Sequence, residues 1–159
     1  MNKEKLLKLI IASLNESLEV LDKAARASHA EATHESSKSE NKYDTRGLEA
    51  AYLAGGQARQ AKEILDSIKT YESLAVKDFA RGEPIALTSL VELDSDQTRV
   101  WYFIGPKNGG LELEFQGKEV TVITPQSALG QNLMGKRAGH CWTAKLGGAT
   151  IKHHIVSVS

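Results

Sequence analysis

Cysteine is nearly absent: Cys141 stands alone among 159 residues, so no intramolecular disulfide can staple the fold, and the chain suits a reducing compartment. Proline is scarce and late, at Pro84, Pro106 and Pro125, which leaves the preceding stretch without the strongest helix breaker. No sign of charge dominates. Twenty Lys and Arg balance twenty Asp and Glu, excluding the global basic field of a stand-alone nucleic-acid binder. A long apolar run is also missing, because the cluster Leu6 to Ile11 is broken by Lys8 and preceded by Lys3, Glu4 and Lys5. Neither a spanning helix nor a signal peptide is expected, and the chain reads as soluble and cytoplasmic. No internal repeat or low-complexity tract is visible.

What is present falls into two halves with different periods. From Leu7, the positions Ile10, Leu14, Leu21, Ala24 and Ser28 recur at three-four spacing, widened by Ile11, Leu18 and Ala25, and predict a long amphipathic helix. A second stripe, Leu48, Ala51, Tyr52, Gly55, Ala58, Lys62, Leu65 and Ile68, predicts another, with Gly55-Gly56 permitting close backbone approach. The polar stretch His34 to Lys42 joins them as antiparallel neighbours. Arms of about 30 residues would project roughly 45 Å at about 1.5 Å per residue. After Gly82 the period becomes two. Ile85 to Leu93, Val100 to Ile104, Leu111 to Phe115, Val120 to Ile123, Trp142 to Leu146 and Ile151 to Val158 predict strands of an antiparallel sheet, with Gly105 to Gly110 as a hairpin connection. Gln126 to Met134, opened by Thr124-Pro125 and closed by Gly135, predicts a short helix covering the apolar face. The expected fold is therefore α+β: a helical hairpin over 1–78 with an acidic tip near 35–44, then a β-rich domain over 79–159.

Glu35, Glu40 and Asp44, with Glu31 further back, concentrate carboxylates at the expected tip. Such a set can share a hard cation such as Mg2+ with a partner's ligands, but does not complete a protein cage. Ser39 suits the N-cap of the second helix, placing Glu40 where the helix dipole favours an ionised carboxylate. Elsewhere the signals are weaker. Alternation puts His153 and His154 on opposite faces of a strand, so they cannot chelate one metal together. Cys141 reads as a core residue, and Arg46, Arg59 and Lys62 read as a solvated helix face.

Ser39-Glu40-Asn41-Lys42-Tyr43-Asp44, between two long helices, resembles the S-E-N-x-Y-D tip of the Gre family of bacterial transcription elongation (transcript cleavage) factors. Ile123 to Gly139 is similar to that family's S-P-L-G-x-x-L-x-G-K-x-x-G-D segment, matching at Ser127, Leu129, Gly130, Gly135 and Lys136. The resemblance implies an FKBP-like C-terminal domain that docks beside the secondary channel of bacterial RNA polymerase, with Ser127, Leu129, Gly130, Gly135 and Lys136 toward the polymerase. It also implies a coiled coil inserted toward the active centre, a functional monomer, and indirect action at the nascent RNA 3' end. Glu40 would help hold Mg2+ jointly with the polymerase and position water. Ser39, Asn41, Tyr43 and Asp44 would support the tip, and the factor would have no catalysis of its own away from polymerase.

Two departures are plain. Ser37 stands where the family's cleavage-competent tip has Asp, beside Lys38; Ala128 and His140 replace the second segment's Pro and final Asp. A neutral hydroxyl orients water but is a weak Mg2+ ligand. The resemblance thus leaves open two mechanisms, cleavage stimulation through Glu40 or channel occupation without cleavage. The competing class is a generic coiled-coil adaptor.

Overall fold

The computed structural model describes residues 2–33, 46–146 and 149–159. Two long helices come first, α1 over Lys3–Thr33 and α2 over Arg46–Glu72. Asn2 caps α1, its Oδ1 accepting from the Lys5 N–H at 3.1 Å, and Glu4 lies in the first turn where the helix dipole favours a carboxylate. The expected tip, near 35–44, falls within 34–45, which lies outside the described residues.

The chain divides into two compact units, Ile10–Glu72 and Met1–Leu9 with Ser73–Ser159. In the helical unit, α1 turns Ile11, Leu14, Leu18, Leu21 and Ala25 away from solvent, as their spacing predicts. The seam of α2 differs from expectation. Gly55, Ala58, Lys62 and Leu65 are exposed, whereas Gln57, Ala61, Ile64, Ile68 and Tyr71 are buried or half-buried. The observed series keeps three-four spacing but sits about 100° around the helix at its start, which takes Lys62 out of the seam and brings Tyr71 in. The close approach expected at Gly55-Gly56 is also absent, because a Cβ at either would meet nothing within 4 Å among the described residues.

The other unit is built on a six-stranded sheet: β1 Leu90–Ser95, β2 Thr98–Ile104, β3 Glu112–Phe115, β4 Lys118–Ile123, β5 Cys141–Leu146 and β6 Ala149–Val158, in the order β3-β4-β2-β1-β6-β5. A short helix, α3 over Ala128–Leu133, follows β4. The fold class is α+β, as expected, with two corrections inside the sheet. First, it is mixed: β2 and β4 run parallel, Trp101 facing Val120 and Ile104 facing Ile123, while the other pairings are antiparallel. Gly105 to Gly110 is therefore a crossover rather than a hairpin turn, because β4 lies between β2 and β3. The physical reason is burial. Val120, Val122 and Ile123 are buried and suit an interior strand, whereas β3 alternates exposed Glu112 and Glu114 with buried Leu113 and Phe115 and suits an edge.

Second, β1 starts at Leu90, not Ile85. Thr88 adopts φ 68°, a conformation a β-branched residue takes only when its surroundings impose it. Here its N–H donates to the Ile104 carbonyl at 2.8 Å and its Oγ1 accepts from the Lys77 N–H at 3.1 Å. One face of the sheet carries Val91, Leu93, Ile104, Ile123 and Ile155, packed with Leu133 of α3 and with Ile85. No helix among the described residues is long and apolar enough to cross a membrane.

Candidate functional site

Two places carry the sequence-derived site. Glu40, Ser37, Ser39, Asn41, Tyr43 and Asp44, and with them the shared Mg2+, fall in the segment outside the described residues. Among the described residues, no group of three or more His, Cys, Asp or Glu could hold a metal ion. The second place, Ser127 to Lys136, is described in full.

Ser127 is the N-cap of α3, with extended backbone at φ −65°, ψ 155°. Its Oγ accepts from the Gly130 N–H at 3.0 Å and donates to the Thr124 carbonyl at 2.8 Å, so one hydroxyl ties the strand exit to the helix start. Leu129 packs against the core cluster and Leu133 is fully buried within it. Gly130 is required sterically: a Cβ there would lie 1.9 Å from the Thr124 oxygen. Gly135 has φ +77°, the left-handed conformation that ends a helix at low cost only for glycine. Its N–H donates to the Ile85 carbonyl at 2.9 Å, and the Ile85 N–H donates to the Lys136 carbonyl at 2.7 Å. The spacing of Ser127, Leu129, Gly130 and Gly135 is thus explained locally by a cap, a core anchor, a close approach and a stop.

Lys136 has a different situation. Its Nζ lies 5.0 Å from the centroid of the Trp142 ring on β5, a cation–π geometry. Trp142 is stacked with two imidazoles, the His153 ring at 4.9 Å and 25° and the His140 ring at 6.2 Å and 29°. His153 is held in turn by a 2.8 Å hydrogen bond between its Nδ1 and Ser95 Oγ. The segment therefore ends against a half-exposed aromatic flanked by a cation and two imidazoles. Sequence reasoning did not find this array. Its signal was the sheet register, in which Trp142 pairs with His153 and Ser95 with His153.

His153 and His154 do face opposite sides, as alternation requires. Cys141, expected in the core, is exposed. It opens the edge strand β5 and points away from the α3 face, so its strand position gives it no cover.

Charge is tuned at a few described points. Desolvation by burial pushes the Lys3 ammonium below its ordinary value of 10.5, with Asp78 opposing and Lys77 adding to the shift. Lys3 donates to the Lys77 carbonyl and lies over Phe79 at 4.7 Å. The hydrogen bond from Lys77 first, then its charge, holds the Glu83 carboxyl below the usual carboxylate range. Burial pushes the Tyr102 hydroxyl upward.

No protein-family model matches the chain, and no curated protein does. Among solved structures it is similar to the crystal structure of GreA factor homolog 1 (Gfh1) of Thermus thermophilus, at 20% identity over 94% of each chain with a TM-score of 0.38. It is also similar to Gfh1 of Thermus aquaticus, at 19% identity over 98% of this chain and 92% of that one, TM-score 0.38. A third is the prokaryotic transcription elongation factor GreA/GreB from Nitrosomonas europaea, at 19% identity over 60% of this chain and 78% of that one, TM-score 0.37. At these values the likeness assigns no residue a role.

Proposed function

We propose that this chain is a Gre-type transcription elongation factor, which binds bacterial RNA polymerase at its secondary channel and stimulates hydrolysis of backtracked transcripts by the polymerase's own active site. The observation that carries the reading is the sequence Ser39-Glu40-Asn41-Lys42-Tyr43-Asp44 between two long helices. A helix of 31 residues such as α1 spans about 46 Å at about 1.5 Å per residue, a length suited to carrying a tip into another molecule's site. Ser127 to Lys136 supports the reading through a second motif, whose Lys136 lies over the half-exposed Trp142 ring of β5.

In this mechanism Glu40 provides one carboxylate and the polymerase provides the remaining ligands of a shared Mg2+. The ion, when held there, would stabilise charge on the attacking and leaving oxygens. The donor set suits sharing rather than solitary binding, since one carboxylate beside the Ser37 hydroxyl and the Lys38 ammonium is too few for a closed site. Glu40 would orient the water, Ser37 would offer a neutral hydroxyl in place of the family's Asp, and Ser39, Asn41, Tyr43 and Asp44 are the positions that the resemblance assigns to supporting the tip.

Ser37 also favours a second reading, in which the tip occupies the channel without stimulating cleavage and regulates pausing or access. The test is transcript cleavage in a defined backtracked complex with Mg2+, using the natural protein, Glu40→Ala and Ser37→Asp. Cleavage that disappears with Glu40→Ala supports the first reading. Binding to core polymerase without cleavage, with cleavage gained in Ser37→Asp, supports the second. Failure to bind core polymerase at physiological salt overturns both.

A further inference from the structure

Charge is unevenly spread along this neutral chain. All twenty Asp and Glu precede residue 120, whereas four of the twenty Lys and Arg, together with His140, His153 and His154, follow it. The fold carries these basic residues on β5, on β6 and on the segment leading from α3 into β5, and β5 is the outer strand of the order β3-β4-β2-β1-β6-β5. The two edges of the sheet therefore differ. β3 exposes Glu112 and Glu114, charges that deter an acidic strand from pairing there. β5 carries no carboxylate. Asp94 and Asp96, brought to this end by β1 and the turn after it, line a cleft with Cys141, Lys152 and His154, on the face opposite Trp142 and His153.

The register fixes which backbone groups of β5 point outward. The Asp96 N–H donates to the Lys152 carbonyl at 3.1 Å, so Lys152 turns its backbone bonds toward β1, and Thr143, its partner on β5, turns its own N–H and carbonyl away from the sheet. The Ile155 N–H donates to the His140 carbonyl at 2.9 Å, which puts Trp142 and His153, two positions along, in a bonded pair. A strand added along β5 would thus hydrogen-bond to Thr143. Its residue opposite Trp142 would fall in a pair without ladder bonds, the kind in which opposed side chains come closest, at about 4.5 Å between Cα atoms. That side chain would meet the half-exposed Trp142 ring, with Lys136 Nζ 5.0 Å from its centroid and the His153 ring at 4.9 Å. No ion pair among the described residues engages Lys136, which leaves its charge to a carboxylate from outside.

We propose that the β5 edge is a docking surface for an extended acidic segment of a partner protein, added as a further strand with one carboxylate beside Lys136 and Trp142. Backbone bonds to Thr143 set the register, and Lys136 sets the preference for acidic over basic strands. A second copy is the poorer occupant. Two β5 edges pairing with each other would bring like charges together, and β5 on the acidic β3 edge of another copy would be a head-to-tail contact that does not close, giving filaments rather than a defined complex. The inference stands on the sheet unit alone and does not rest on polymerase binding.

The probe is a short blocked peptide alternating Thr and Glu, titrated into the isotope-labelled full chain while amide resonances and hydrogen exchange are followed. Binding is expected to move the Trp142 and Thr143 amides and to slow exchange at Thr143, whose N–H faces away from β6. The same peptide with Lys in place of Glu, or with the backbone nitrogens of its pairing edge methylated, should bind roughly tenfold more weakly or worse. Lys136→Gln should weaken the acidic peptide roughly threefold, the scale of an exposed ion pair. Thr143→Pro should weaken it roughly fivefold by deleting one outward donor, while the β5–β6 ladder survives because proline is accepted on the solvent side of an edge strand. The methylated peptide asks the same question of the natural protein, without a variant. No shift at β5 with the acidic peptide, or equal affinity for the Lys or the methylated peptide, overturns the proposal. So does a single-stranded oligothymidylate that binds this edge more tightly than the peptide, or sedimentation showing that the free chain assembles through it.

Discussion

Replacing Gly130 by Ala is the sharpest test of how the Ser127 to Lys136 segment is held together. The added Cβ would sit 1.9 Å from the Thr124 oxygen, 2.9 Å from the Thr124 carbon and 3.0 Å from Ser127 Oγ. An ordinary carbon–oxygen contact is about 3.3 Å, so the carbonyl must retreat by roughly 1.4 Å. That carbonyl accepts from the Ser127 N–H at 3.1 Å and from Ser127 Oγ at 2.8 Å. Losing two hydrogen bonds costs about 1 kcal/mol each, and forcing the backbone aside adds about 1–3 kcal/mol. The expected loss is roughly 3–5 kcal/mol. Trp101 and Trp142 both belong to the sheet unit, so tryptophan fluorescence in urea reports that unit. With a slope of about 2 kcal/mol per molar, the midpoint should fall by about 2 M. Gly135→Ala is the control: its φ of +77° is disfavoured for Ala, but nothing among the described residues lies within 4 Å of the new Cβ. It should cost about 1–2 kcal/mol. A Gly130→Ala midpoint within about 0.5 M of the natural protein, or above that of Gly135→Ala, would refute the steric argument.

Ser127→Ala removes the α3 cap and should cost about 1 kcal/mol in the same urea assay; an unchanged midpoint would show that the cap hydroxyl is dispensable. Lys3 is 4% exposed, and its lowered pKa means that the unfolded chain binds more protons between the folded value and 10.5. Its contribution to stability therefore rises with pH through that window. Lys3→Met should lack this rise, so the stability difference between variant and natural protein shifts in favour of the natural protein as pH approaches 10.5. The raised Tyr102 works in the opposite direction above 10.0 in both proteins and cancels in the comparison. A pH-independent difference in urea midpoints would count against the buried ammonium. Gly55→Ala and Gly56→Ala, in exposed positions of α2, should each stabilise the helix by about 0.8–1 kcal/mol, read as slower hydrogen exchange of α2 amides. Faster exchange would restore the close-approach reading of that pair.

Much of this architecture was legible from periodicity. The change from three-four spacing to period two, and the Thr124-Pro125 to Gly135 bracket around a short helix, follow from side-chain geometry that every helix and strand shares. The separation of His153 from His154 follows in the same way. The chain alone also supplied the Ser39 to Asp44 pattern on which the proposed function rests. Misreadings arose where local pattern permits two answers. The α2 seam could be drawn through Lys62 and Leu65 or one residue earlier through Ala61 and Ile64, and burial chose the second. Val120 to Ile123 and Leu111 to Phe115 both read as strands, but which one enters the sheet interior depends on the faces offered by their neighbours.

Composition and spacing by themselves determined that there would be two long helices, a strand-rich second half, no disulfide and one short capped helix, because each depends on residues within a few positions of one another. Tertiary structure decided what depends on residues far apart in the chain. It set β2 and β4 parallel, fixed Thr88 at positive φ between Lys77 and Ile104, stacked His153 against Trp142, and aligned Cys141, His154 and Asp94 across three strands. Those juxtapositions are set by sheet order and register, and a one-residue slip in any pairing would have turned the same side chains to the opposite face.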